Sequence, residues 1–297
     1  MNNPVFAELK NKFIAGSALI QLIVVNIVVF ICVKLVKLIY FLMNLGDDSF
    51  RTLIKYFAVP ADLISLLGKP WTLITYMFLH VDFMHILFNM FVLYLGGRIF
   101  SEYLGDKKFI STYFLGGISG AILYIIAFNA FPAFENILPN AIAMGASASV
   151  LAILVAAATF VPNYTVHLIL IGPVKLKYIV IFLVLLDVIS IESSNPGGHI
   201  AHLGGAIYGY IYISSLKKGF NVARWFENIA DFFTRLFKPG SKLKVAYKKK
   251  LSDQDYNEVK IKKQEKMDDI LDKISRSGYE SLTKEEKEFL FKISKNL

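Results

Sequence analysis

From Phe13 to Val33 the chain runs for 21 residues without a charged side chain, and a second uncharged stretch extends from Phe109 to Phe134. In hydrocarbon, a backbone satisfies its own hydrogen bonds only as a helix or a closed barrel, and a helix needs about 20 apolar residues to cross. The chain is therefore directed to a membrane. Only 19% of its 297 residues are charged against 55% hydrophobic, which excludes disorder and leaves too few charges to cover a water-facing globule. From Lys217 onward there are 20 Lys and Arg against 13 Asp and Glu, compared with 12 against 10 before it. The predicted organisation is a membrane domain over residues 1–217 and a basic, water-facing tail over 218–297.

Lys10 and Lys12 ahead of the first apolar run resemble the start of a signal peptide. The run is too long, however, and ends without a small-x-small cleavage site, so it reads as a retained anchor. Cys32 has no partner in the chain, which excludes an internal disulfide or a thiolate metal site.

Six spans are expected: Ile14 to Val33 with an extension past Lys34 and Lys37 to Leu45; Met84 to Ser101; Phe109 to Phe134; Met144 to Val161; Tyr178 to Ile191, interrupted by Asp187; and Gly198 to Leu216. Loop charges support the count, since Lys and Arg in short loops favour the cytoplasm. One set of connections holds Lys10 and Lys12, then Arg98, Lys107 and Lys108, then Lys175 and Lys177, then Lys217 and Lys218. The other holds residues 47–82, where three basic residues meet four aspartates, then Glu135, then Glu192. Both termini are thus placed in the cytoplasm, and the membrane is read as a bacterial-type inner membrane.

In the first outward loop Phe50, Leu53, Ile54, Phe57, Leu63, Leu66, Leu67 and Trp71 recur at helical spacing, which predicts an interfacial segment. Trp225, Ile229, Phe232, Phe233 and Leu236, with Arg224, Arg235 and Lys238, predict an amphipathic surface helix suited to anionic headgroups. Asp268 to Ser275 and Thr283 to Lys295 read as two short helices, the second opened by a Thr283/Glu286 capping box. The tail is rich in Lys without interleaved Arg and aromatics, so no nucleic acid is expected.

Polar side chains at membrane depth are costly unless paired or wet. His85 and Asn89 are four apart and share one helix face; that alone fits a helix-to-helix hydrogen bond equally well. Ser147, in Gly145-Ala146-Ser147-Ala148-Ser149, opens the fourth span, where free backbone N–H groups gather the positive end of the helix dipole. Taken alone it fits a packing serine. His202 lies on the same face as Gly205 and Gly209, a seam that lets a neighbouring helix approach until a serine reaches an imidazole. Together these point to a nucleophile and a base. His80 and His199 are placed to support such a site, while His167 falls in a cytoplasmic loop. The histidines lack an H-E-x-x-H helix and a carboxylate on the right face, and no Gly-rich phosphate loop is visible, so neither metal nor cofactor is expected.

Trp71 to Asn89 (WTLITYMFLHVDFMHILFN), the G-x-S element at Gly145 to Ser147 and the H-x-G-G-x-x-x-G element at His202 to Gly209 resemble the rhomboid intramembrane serine proteases. The resemblance covers about residues 50 to 216. It implies an all-α, polytopic, six-helix bundle with Ser147 as nucleophile, His202 as general base in a dyad without a carboxylate, and His85 and Asn89 as oxyanion donors. The substrate it implies is another protein's transmembrane helix, cut near its outward end from a water-filled cavity. The chain departs from the usual pattern at Ala148 for a glycine, Thr72 for an arginine and Ser101 for a glutamate. It also has Leu151 where some members stack a tyrosine on the base. A catalytically silent relative that binds or sorts membrane helices is the alternative. A transporter using the histidines and Asp187 would call for an inverted repeat, and none is seen.

Overall fold

The structure is a computed structural model that describes residues 16–168, 171–192, 195–237, 266–267, 269–278 and 281–294. The expectations for Lys10, Lys12, Ile14, Lys238, Asp268 and Lys295, and for the side chains of Phe233 and Leu236, lie outside the described residues.

The chain divides into two compact units, Met1–Lys238 and Pro239–Leu297. In the first, α1 (Ala18–Leu42) leads into the outward loop, which holds α2 (Asp47–Ile54), β1 (Val59–Pro60), α3 (Leu63–Gly68) and α4 (Thr72–Thr75). Then come α5 (Phe83–Leu104), α6 (Asp106–Ala130), β2 (Ile142–Ala143), α7 (Ser147–Phe160), the hairpin β3 (Thr165–Leu168) and β4 (Gly172–Lys175), α8 (Leu176–Ile189), α9 (Pro196–Lys217) and α10 (Arg224–Phe237). Helices stand at all six expected positions in an otherwise nearly strand-free chain. Among the described residues α1, α5 and α6 are long and apolar enough to cross a membrane by themselves.

The fourth span is shorter than expected: α7 is helical only from Ser147. Gly145, at φ +123°, breaks the helix, and its N–H donates to the Tyr76 carbonyl at 2.8 Å. Fourteen residues rise about 21 Å, against about 30 Å of hydrocarbon, so one end of α7 stops inside the membrane. Nearly all of α7 is buried, from Ala148 to Ala158, which makes it the central helix of the bundle. Its N-terminal approach is tied to the outward loop by the antiparallel pairing of Val59 with Ala143 and Pro60 with Ile142.

Glycines set how close the helices come. A Cβ at Gly205 would overlap the Ala148 carbonyl and one at Gly209 that of Ala152, so the predicted seam of α9 lies directly on α7. The methyl of Ala148 faces Gly120 of α6, where an added Cβ would come within 2.6 Å of it. A glycine on the neighbouring helix thus supplies the space that Ala148 gives up. Helix α1 is held by Asn26, whose side chain donates to the Tyr113 hydroxyl at 3.1 Å; Tyr113 in turn donates to the Met77 carbonyl. Lys34 and Lys37 are exposed, over the rings of Phe30 and Phe50.

Helix α10 lies in the first compact unit and packs on its spanning helices. Phe226 meets Phe114, Glu227 is buried, and Asp231 accepts from Lys107 at 2.6 Å. Trp225, Ile229 and Phe232 remain exposed, as the amphipathic pattern requires. In the second unit the helical residues 269–277 turn at Gly278, and α11 (Lys284–Ser294) follows. The capping box is present: Thr283 N–H donates to the Glu286 carboxylate at 2.7 Å and Glu286 N–H to Thr283 Oγ1 at 3.3 Å. The Thr283 amide and the Lys273 ammonium hold the Glu286 carboxyl below its usual range.

Candidate active site

Where α7 stops short, a cavity of about 360 Å³ opens between α5, α7, α8 and α9. Asn89, Ser147, Leu151, Asp187, His199 and His202 stand in its wall. The two serines of the small-residue run are thereby distinguished. Ser149 is fully buried against Gly117 and Met77, whereas Ser147 is partly exposed to the cavity. Residue Ala146 offers no side-chain cap, so the first amides of α7, Ser147's own among them, keep the positive end of the helix dipole at the cavity.

His202 reaches the same cavity from α9. No hydrogen bond joins Ser147 to His202 among the described residues, and such contacts often tighten only with substrate bound. Asn89 Nδ2 donates to His80 Nε2 at 3.0 Å, leaving its second N–H for a group in the cavity. The same His80 nitrogen accepts the Ala146 N–H at 3.3 Å, and His80 Nδ1 donates to the Phe78 carbonyl at 3.3 Å. His80 therefore braces the turn before Ser147 from two sides. The ring of His85 stands edge-on to His80 at 5.1 Å and lies against Gly145, where a Cβ would approach its Cε1 to 2.7 Å. It sits beside the turn that precedes Ser147. The expected support from Gly145 is thus steric as well as conformational. His167 lies in the β3 hairpin, opposite Pro173.

Burial, with the neighbouring His85, pushes His80 down to about 4, so it is neutral at pH 7 and its Nε2 accepts. A histidine whose folded pKa lies below its unfolded value of about 6.5 adds stability above that pH and loses it as the pH falls toward 4. The thermal midpoint of the wild type should exceed that of His80→Gln by a constant amount above pH 6.5. The gap should narrow on acidification; a gap independent of pH would contradict this role.

One group was misread in the sequence. Asp187, taken there as an interruption of the fifth span, lies 8% exposed, and its Oδ1 stands 2.8 Å from Nδ1 of both His199 and His202. The carboxylate judged missing is therefore present, on α8, one helix away from both histidines. The signal was available: an acid within an apolar run is expensive in a membrane and implies a partner. Each of the three offers one ligand atom, all within 4.8 Å of one another, so a small divalent cation could be held there in principle.

The Rhomboid domain family matches residues 67–218, just over half of the chain. The chain belongs to the rhomboid family. Rhomboid domains are helical, polytopic and membrane-embedded, in agreement with the architecture above. The chain is 33% identical over 162 residues to "RHOMBOID-like protein 12, mitochondrial" of Arabidopsis thaliana, covering 51% of this chain and 48% of that protein. It is 30% identical over 168 residues to "Presenilin-associated rhomboid-like protein A, mitochondrial" of Danio rerio, covering 55% and 41%. With "Rhomboid protease GluP" of Bacillus subtilis (strain 168) it shares 29% identity over 105 residues, 35% of this chain and 20% of that protein. The chain spans less than half the length of these relatives. Residues 252–296 match a separate family of unknown function (DUF6576).

Proposed function

We propose that this rhomboid-family protein is an intramembrane serine endopeptidase that cuts transmembrane helices of other proteins. The observation that carries the reading is the sharing of one cavity by Ser147, at the N-terminus of a helix too short to span, with His202 and Asn89. His202 Nε2 takes the Ser147 proton as Oγ attacks the peptide carbonyl. The Ser147 N–H and Asn89, with His85 nearby, stabilise the oxyanion, each donor being worth about 3 to 4 kcal/mol of barrier. The imidazolium then gives its proton to the departing amine, and water activated by the same base releases the acyl group.

Relatives named as mitochondrial and one named as a bacterial protease are compatible with this chemistry in different membranes. We assign this chain to a bacterial-type cytoplasmic membrane; the distribution of Lys and Arg among its loops supports cytoplasmic termini. The exposed Trp225, Ile229 and Phe232 of α10 suit contact with lipid on the same side.

The reading is tested by labelling the detergent-purified full chain with a fluorophosphonate, which requires an activated serine and no known substrate. Labelling of the wild type that Ser147→Ala reduces to background is expected. No labelling of folded wild type would favour a silent, helix-binding relative.

A further inference from the structure

The dyad leaves a question of physical chemistry open: what keeps the His202 ring turned so that its basic nitrogen meets Ser147? Leu151 stands in the same cavity wall, an aliphatic side chain with nothing to donate or accept. The only hydrogen bond of His202 among the described residues runs from Nδ1 to Asp187 Oδ1, at 2.8 Å. An ionised carboxylate only accepts, so Nδ1 carries the proton and Nε2, across the ring, keeps its lone pair.

We propose that Asp187 is the positioning residue of the site, making it a Ser147–His202–Asp187 relay with His199 as a second clamp on the carboxylate. This rests on the peptidase reading above. Asp187 reaches the base from a different helix, α8, so the orientation of His202 depends on how α8 packs against α9. His199, one turn before His202, donates to the same oxygen at 2.8 Å. It thereby offsets part of the cost of a carboxylate at membrane depth and fixes the oxygen that His202 uses. The carboxylate also stabilises the imidazolium formed as Ser147 attacks, without taking the proton itself. The lengths are those of N–H···O bonds.

The test uses the purified full chain and the time course of fluorophosphonate labelling, which separates binding (KI) from reaction at the serine (kinact). Asp187→Asn should lower kinact about a hundred-fold or more and leave KI within about three-fold, because the probe's site is intact and only the base is misdirected. His199→Ala, which removes the second clamp but leaves the Asp187–His202 bond, should lower kinact as well, by about ten-fold at most. Equal loss in both variants, or a loss carried by KI, would overturn the proposal. So would a wild-type kinact that requires an added divalent cation or falls with a chelator. Should Asp187→Asn not fold, the 15N resonances of histidine-labelled wild type, with His202 assigned by comparison with His202→Gln, decide. Proton on Nδ1 and none on Nε2 supports the relay, and the opposite tautomer refutes it. Failure of wild type to label at Ser147 at all would instead remove the peptidase reading, and the relay with it.

Discussion

His202→Ala should lower the rate of Ser147 labelling by about a thousand-fold or more, with the protein still folded. A serine hydroxyl is a weak nucleophile near neutral pH, and the cavity wall offers one group that can serve as its base. Of the other imidazoles, His199 bonds Asp187 through Nδ1 as His202 does, but it stands one turn farther along α9 from the Gly205–Ala148 contact that brings α9 to the start of α7. His80 is neutral but uses Nε2 to accept from Asn89 and Ala146. Neither can substitute. Knock-outs of the base in serine hydrolases on unrelated folds cost three to six orders of magnitude, the residue of activity coming from oxyanion stabilisation and binding. The fold should tolerate the change, since the His202 side chain faces a cavity and the helix contacts of α9 are made by Gly204, Gly205 and Gly209. A circular-dichroism melt matching wild type, with labelling lost, is the expected pair of results. Labelling within ten-fold of wild type would show that another group activates Ser147.

Gly205→Val should cost about 3 kcal/mol of stability and abolish labelling as well. The added side chain would collide with the carbonyl of Ala148, a backbone atom in the first turn of α7, which has no rotamer to escape into. Relief requires α9 to move away from α7. Because Ser147 and His202 stand on those two helices, the same movement separates the proposed nucleophile from its proposed base. An unfolding titration in mixed micelles measures the first effect and fluorophosphonate labelling the second. Ile207→Ala on the exposed face of the same helix, where Ile207 is 50% accessible, should leave both unchanged. Wild-type stability in Gly205→Val would mean that the two helices are not in backbone contact.

Much of this was legible from residue types alone. Uncharged runs dictate spanning helices because hydrocarbon leaves the backbone no other partner, and α1, α5 and α6 stand where those runs are. Ser147, His202 and Asn89 were also within reach. A nucleophile must sit at an unusual place on a helix, and a base on a glycine seam must sit close to a neighbour. His80 was expected only as a general support; its particular role, capping both Asn89 and the turn before Ser147, depends on a loop path that periodicity does not describe.

The sequence by itself determined the membrane solvent, the helical class and the family motifs, and it brought Ser147 and His202 forward as the proposed nucleophile and base, because each of these follows from chemistry that is local in the chain. Three matters were decided only by tertiary structure. Which serine of the small-residue run meets the cavity depends on where Gly145 breaks the chain and what Gly117 covers. Whether Ala148 fits depends on Gly120, 28 positions away. Whether the base has a carboxylate depends on Asp187 of α8 facing α9 across 15 residues of chain. A carboxylate in an apolar run announces that it needs partners, but long-range packing alone selects them.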